Sequence, residues 1–116
     1  MDEDQRLTVG SDAAATHTAS GQPAVRLTAR GDIDAASAQV LSDALERALA
    51  EGAAVVVLDT TDVEFLDSSG LRVIVNAGNR LSDEGGQLFI EGMSGAVQRV
   101  LEISGLIERY RAADPG

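Results

Sequence analysis

Apolar and polar residues alternate at period two through Pro23-Ala24-Val25-Arg26-Leu27-Thr28-Ala29-Arg30, which predicts a half-buried strand ended by Gly31. Leu7 to Ala14 alternates more weakly and predicts an edge strand. Between them, Ala13 to Gln22 is dominated by Ala, Thr, Ser and Gly and reads as a flexible loop. From Asp34, a residue suited to a helix N-cap, the period lengthens. Val40, Leu41, Ala44, Leu45, Ala48 and Leu49 fall on one face, and Gly52 stops the pattern. This predicts an amphipathic helix of about four turns.

Ala53-Ala54-Val55-Val56-Val57-Leu58 is an unbroken apolar run of the kind covered on both sheet faces, which places it in the middle of the sheet. Asp59-Thr60-Thr61-Asp62 predicts a turn, and Val63-Glu64-Phe65-Leu66 a short apolar segment. Asp67-Ser68-Ser69-Gly70 then opens a second helix. Leu71, Ile74, Val75, Gly78 and Leu81 point inward on it, Arg72, Val73, Asn76 and Arg80 point outward, and Gly85-Gly86 closes it. Gln87-Leu88-Phe89-Ile90 reads as a strand. Ser94 caps a third helix with Val97, Val100, Leu101 and Ser104 on one side, until Gly105 breaks it. Leu106 to Tyr110 fits a closing turn, a short helix or a strand. The order predicts one α/β domain over 1–116, with helices on a small mixed sheet and loose ends at 1–6 and 112–116.

Composition narrows the chemistry. At 116 residues the chain has the length of one domain, and with 3% aromatic residues its core must be aliphatic. A formal charge of -10 repels phosphate backbones and anionic lipid headgroups, so neither nucleic acid nor a membrane surface is an expected partner. The chain has no cysteine, which excludes disulfides, thiolate metal sites and cysteine nucleophiles. All nine basic residues are arginines, so a Walker-type phosphate loop and Schiff-base chemistry fail for want of a lysine. No apolar run approaches the roughly 20 residues of a membrane span, and the start Met1-Asp2-Glu3-Asp4 is acidic where a signal peptide is basic. The expectation is a soluble, cytoplasmic protein.

Few residues are left to do chemistry. His17, the single histidine, lies in the small-residue loop with no carboxylate spaced to orient it, and Asp67-Ser68-Ser69-Gly70 lacks the G-x-S-x-G elbow of a hydrolase. Asp59 ends an apolar run as a receiver-domain phospho-acceptor does, but the lysine and the acidic pair that chemistry needs are missing. The pair Asp83-Glu84 reads as a solvated helix end. No enzyme activity, cofactor or metal is expected.

The segment Asp67-Ser68-Ser69-Gly70-Leu71-Arg72 is the most informative one. It places a carboxylate and two hydroxyls where backbone N–H groups have no intrahelical acceptor. Helix capping alone accounts for such residues. A second reading is that a hydroxyl here is reachable by another protein's active site, and that a phosphate would add roughly -1.5 to -2 charges beside Asp67, Glu64, Asp32 and Asp34. Such a site is a switch, not a catalyst.

With these residues on view, the chain resembles the STAS domain family, specifically the bacterial anti-sigma factor antagonists, from about Leu7 to Arg111. The resemblance is carried by Gly31-Asp32-Ile33-Asp34, by Val63-Glu64-Phe65-Leu66-Asp67-Ser68-Ser69-Gly70-Leu71 and by Ile103-Ser104-Gly105-Leu106. It implies a four- or five-stranded sheet with helices packed mainly on one side. It further implies that the unmodified protein binds an anti-sigma factor serine kinase and so frees a sigma factor. Phosphorylation by that kinase reverses the binding, and a metal-dependent serine phosphatase restores the active form.

By position, the resemblance makes Ser68 the phospho-acceptor, with Ser69 as the fallback. Asp67 would orient the hydroxyl or contact the partner, Asp32 and Asp34 would lie beside it, and Gly70 would let the partner's backbone approach. Arg72, Val73 and Asn76 complete the expected docking surface, although many family members carry a small residue where Arg72 stands. The loop 13–22 is longer than this fold usually needs. The alternative is a STAS module without the switch, acting as a structural subunit of a stress-sensing or transporter-associated complex.

Overall fold

The computed structural model describes residues 6–11, 16–17 and 21–111. The elements in chain order are β1 (Thr8–Ser11), β2 (Thr16–His17), β3 (Pro23–Ile33), α1 (Ala38–Ala50), β4 (Val55–Leu66), α2 (Ser68–Asp83), β5 (Gln87–Glu91), α3 (Gly95–Ile103) and α4 (Ile107–Tyr110). The sheet runs β1-β3-β4-β5, with β2 paired to the same β3 edge as β1. β1 and β2 are antiparallel to β3, whereas β3, β4 and β5 are mutually parallel, so the sheet is mixed as expected. The expected loose ends lie almost wholly outside the described residues.

Side-chain alternation sorts the sheet into two faces. Leu27, Leu58 and Ile90 stand in register and are almost completely buried, as are Val56 and Leu88. They join Leu41, Leu45 and Ala48 of α1, Ile74 and Leu81 of α2, and Val97 and Leu101 of α3 in one aliphatic core. On the opposite face Arg26, Val57 and Phe89 stand in register and are only half-buried. The run 53–58 is therefore central in the sheet, as its composition implies, but it is not equally covered on its second face. Arg26 pairs there with Asp59 at 3.0 Å and also with Glu91.

Four local expectations change. Asp59-Thr60-Thr61-Asp62 does not turn the chain, because β4 continues through it for 12 residues. Asp59 Oδ1 accepts from the Thr61 N–H (2.9 Å) and Oγ1 (2.7 Å), so the turn-forming bonds are absorbed into a bulge inside the strand. Gly31 does not end β3 either. It takes φ 105 and lets the strand run on to Ile33, with register shifts at Thr28/Arg30 and Gly31/Asp32 that give β4 an extra residue each time. Asp34 is not the N-cap of α1. Its Oδ1 accepts from the N–H groups of Ala36 (3.1 Å) and Ser37 (3.0 Å), closing a turn before the helix begins at Ala38. Part of the 13–22 loop is strand, since Thr16 and His17 pair with Ala24 and Pro23, and the rest up to residue 20 lies outside the described residues.

The end of the chain resolves into one helical turn that buries Tyr110 against Gly78 of α2, where a Cβ would stand 2.9 Å from the ring. Val40, expected on the inner face of α1, is 44% exposed because it sits at the rim of the apolar stripe.

Candidate functional site

Three parallel strands deliver their carboxyl ends to one rim of the sheet, and the two longest, β3 and β4, finish side by side. Ile33 is in register with Leu66, and the Asp67 N–H donates to the Ile33 carbonyl at 3.1 Å. This bond ties the Asp32–Ser37 segment to the start of α2. Loops at the carboxyl ends of parallel strands are where α/β folds place their binding residues.

Asp67 adopts extended backbone (φ -113, ψ -173) and is the N-cap of α2. Its Oδ1 accepts from Ser69 N–H at 2.9 Å and Gly70 N–H at 3.3 Å, satisfying two donors that the helix cannot. Ser68 is the first residue of the helix. It is exposed, and its hydroxyl makes no hydrogen bond within the described residues. Ser69 is half-buried, which makes it the less reachable of the two hydroxyls.

Gly70 is buried, and the reason for glycine lies inside the chain. A Cβ there would stand 2.3 Å from Ile33 Cγ2 and 2.7 Å from Leu66 Cδ1, so the first turn of α2 sits directly on the strand ends. This internal packing by itself accounts for a glycine at position 70. Val73 likewise is half-buried and packs against the core, so it is not the exposed apolar contact its spacing suggests. At 100° per residue it falls on the flank of the inward stripe.

Of the expected contact residues on α2, Ser68, Arg72 and Asn76, at spacings of four, are all exposed. Arg72 has no ion pair or hydrogen bond among the described residues. Asp32 and Asp34, both half-buried, flank Ile33, whose carbonyl holds the Asp67 N–H at the start of this helix. The Asp34 carboxylate is engaged by its own turn, including Ser37 Oγ at 3.0 Å, whereas the Asp32 side chain has no hydrogen-bond partner among the described residues. Ser37 Oγ shares its one proton between that Asp34 oxygen and the Asp32 carbonyl at 2.8 Å, which fixes the backbone and leaves the Asp32 carboxylate free.

One element of the rim is missing from the sequence reading. Phe65 is 47% exposed and borders a groove of about 470 Å³ with Leu66, Ala96, Arg99 and Val100. The bulge residue Glu64 resets the alternation, so that both it and Phe65 face outward while Val63 and Leu66 stay in. A phenylalanine two positions before Asp67, in a chain with so few aromatics, is the signal available in the sequence. Among the described residues no three His, Asp or Glu side chains are grouped to hold a metal ion, and no helix is long and apolar enough to cross a membrane.

Comparison with known proteins places this geometry. The STAS domain family model matches residues 16–112. The anti-sigma-B factor antagonist of Listeria monocytogenes is 37% identical over 76 residues, covering 66% of this chain and 67% of the relative. The anti-sigma-B factor antagonist of Bacillus subtilis is 35% identical over 82 residues, covering 71% and 74%. Among solved structures, an anti-sigma factor antagonist from Mycobacterium paratuberculosis superimposes with a TM-score of 0.76, covering 95% of this chain and 87% of that one. At 23% identity this last likeness concerns the fold.

Proposed function

The chain belongs to the STAS domain family, and from that premise we propose that it is a cytoplasmic, non-enzymatic anti-sigma factor antagonist switched by phosphorylation of Ser68. In the unmodified form it docks an anti-sigma factor through the Asp32–Asp34 segment and the Ser68, Arg72, Asn76 stripe of α2, and a sigma factor is released. The anti-sigma factor is itself the serine kinase. As the Ser68 Oγ–P bond forms, the terminal phosphoanhydride bond of ATP breaks, ADP departs and the hydroxyl proton passes to a base of the kinase or to solvent. A metal-dependent serine phosphatase reverses the modification by hydrolysis.

The observation that carries this reading is the exposed Ser68 hydroxyl, without a hydrogen bond among the described residues, at the first position of α2. A dianion at the centre of a docked surface, next to Asp32 and Asp67, opposes any partner that lacks a cation for it, and about 1.4 kcal/mol is already tenfold in affinity. The test is to incubate the protein with candidate serine kinases of its own organism, map the modified residue, and titrate the partner against Ser68→Ala and Ser68→Asp. Modification at Ser68, tight binding by Ser68→Ala and weak binding by Ser68→Asp are expected. Phosphate mapped elsewhere, or a Ser68→Ala protein that the kinase still switches off, overturns the reading.

One observation favours the second reading, a structural module without the switch. The Asp67 hydrogen bonds to Ser69 and Gly70 by themselves account for that carboxylate as a helix cap. A Ser68→Asp protein that binds its partner as tightly as the wild type would favour this alternative.

A further inference from the structure

Resting on the reading of Ser68 as the modified residue, we propose that Arg72 is a counter-charge built into α2 that pairs with the phosphate once Ser68 carries it. The two residues are one helical turn apart at i and i+4, and both are exposed. At that spacing side chains lie over one another, with Cβ atoms roughly 5–6 Å apart, within reach of an arginine. The order is also the favourable one, an anion toward the helix N-terminus and a cation one turn later.

Arg72 is available for this role. Among the described residues Arg26, Arg30, Arg80 and Arg111 pair with carboxylates, and Arg109 is held by Asn79 and stacks on Tyr110. Arg72 has no such partner, and of the arginines that share this condition, among them Arg47 on α1 and Arg99 on α3, it alone is on α2. The nearest carboxylate in sequence, Asp67, is turned to the N–H groups of Ser69 and Gly70. Glu64, Asp67, Asp32 and Asp34 near the strand ends are all negative; the other unpaired arginine of this rim, Arg99, stands on α3 across the Phe65–Leu66 groove, whereas Arg72 lies on the same helix as Ser68, one turn away. A small residue at position 72 would leave the phosphate free. Here the modified form is held by its own helix, so the phosphatase must draw the phosphate away from an ion pair.

The test installs phosphoserine at position 68 of the full chain by genetic code expansion and follows its phosphorus NMR signal against pH. The second phosphate ionisation, near pH 6 for a free phosphoserine, is expected about half a pH unit lower in the wild type than in Arg72→Gln. That is roughly a threefold weaker hold on the proton. Arg72→Lys should retain part of the difference. Arg47→Gln removes an exposed arginine from α1 and should leave the value where it is in the wild type. Equal values in wild type and Arg72→Gln, or an equal shift from Arg47→Gln, overturn the ion pair. Because the phosphate is installed without the kinase, the two ideas fail separately. Unchanged partner binding by the phosphoserine protein would remove the switch, whereas an unmoved titration removes the role of Arg72.

Discussion

Replacing Gly70 by alanine tests whether the site is anchored to the core as described. The added Cβ would lie 2.3 Å from Ile33 Cγ2 and 2.7 Å from Leu66 Cδ1, where carbon atoms prefer about 3.5–4.0 Å, so each neighbour must retreat by roughly 1 Å. Ile33 has no room, being 0% exposed with its Cγ2 carried directly on the β-carbon, whereas Leu66 Cδ1 is the end of a side chain that borders the Phe65 groove and can yield. Overpacking of this kind is destabilising by about 1–3 kcal/mol, and the better helix propensity of alanine returns up to about 1 kcal/mol. The net expectation is a loss of about 1–2 kcal/mol, or roughly 4–8 °C in melting temperature for a domain of this size. Gly95, the first residue of α3, is the internal control, because a Cβ there meets nothing within 4 Å. Gly95→Ala should raise stability by a few tenths of a kcal/mol up to about 1. Both variants are read by thermal and urea denaturation followed by circular dichroism. A Gly70→Ala protein that melts at or above the wild type would refute the packing argument and return Gly70 to the role of a contact kept open for a partner.

Three further outcomes are expected. Thr60 is completely buried and its hydroxyl has no hydrogen-bond partner among the described residues, so Thr60→Val should raise stability by roughly 1 kcal/mol, seen as a higher urea midpoint; a lower midpoint would mean that the hydroxyl is satisfied. Burial pushes the Tyr110 phenol above its ordinary value, against a smaller opposing effect of Arg109. Tyr110 therefore contributes stability that is complete below the unfolded-state value near 10 and is lost as pH rises through the higher folded value. As the single tyrosine it can be followed by ultraviolet absorbance, and phenolate appearing at the ordinary value in folded protein would contradict its burial. Burial also pushes Asp59 up, but hydrogen bonds from Thr61 and the charge and hydrogen bond of Arg26 outweigh it and hold the carboxyl below the usual carboxylate range. Its contribution is present above the unfolded value and fades as pH falls through the folded one, so Asp59→Asn should flatten the acid limb of the stability curve, measured by urea titration between about pH 2 and 6.

What could be read from the sequence was whatever depends on near neighbours. The period of Leu41, Leu45 and Ala48 announces α1, and the cap at Asp67 is a matter of four consecutive residues, so the start of α2 and the placing of Ser68 are legible. The uninterrupted course of β4 is not. Asp59-Thr60-Thr61-Asp62 has the composition of a turn, and only pairing with β3 on both sides of it decides that the same hydrogen bonds make a bulge. Gly31 deceives for the same reason. Val40 and Val73 lie at the rims of their stripes, where 100° steps cannot settle which side of the boundary a residue takes. The purpose of Gly70 is invisible without Ile33, which arrives from another strand.

The seating of α2 on Ile33 and Leu66 bears on how any signal at Ser68 is transmitted. A helix whose first turn has no slack beneath it, and whose cap is fastened through Asp67 to the neighbouring strand, cannot act as a lever. A phosphate on that serine, as proposed, would write its information on the outside of the molecule, as a change in what the rim attracts and repels, with the interior left as it is.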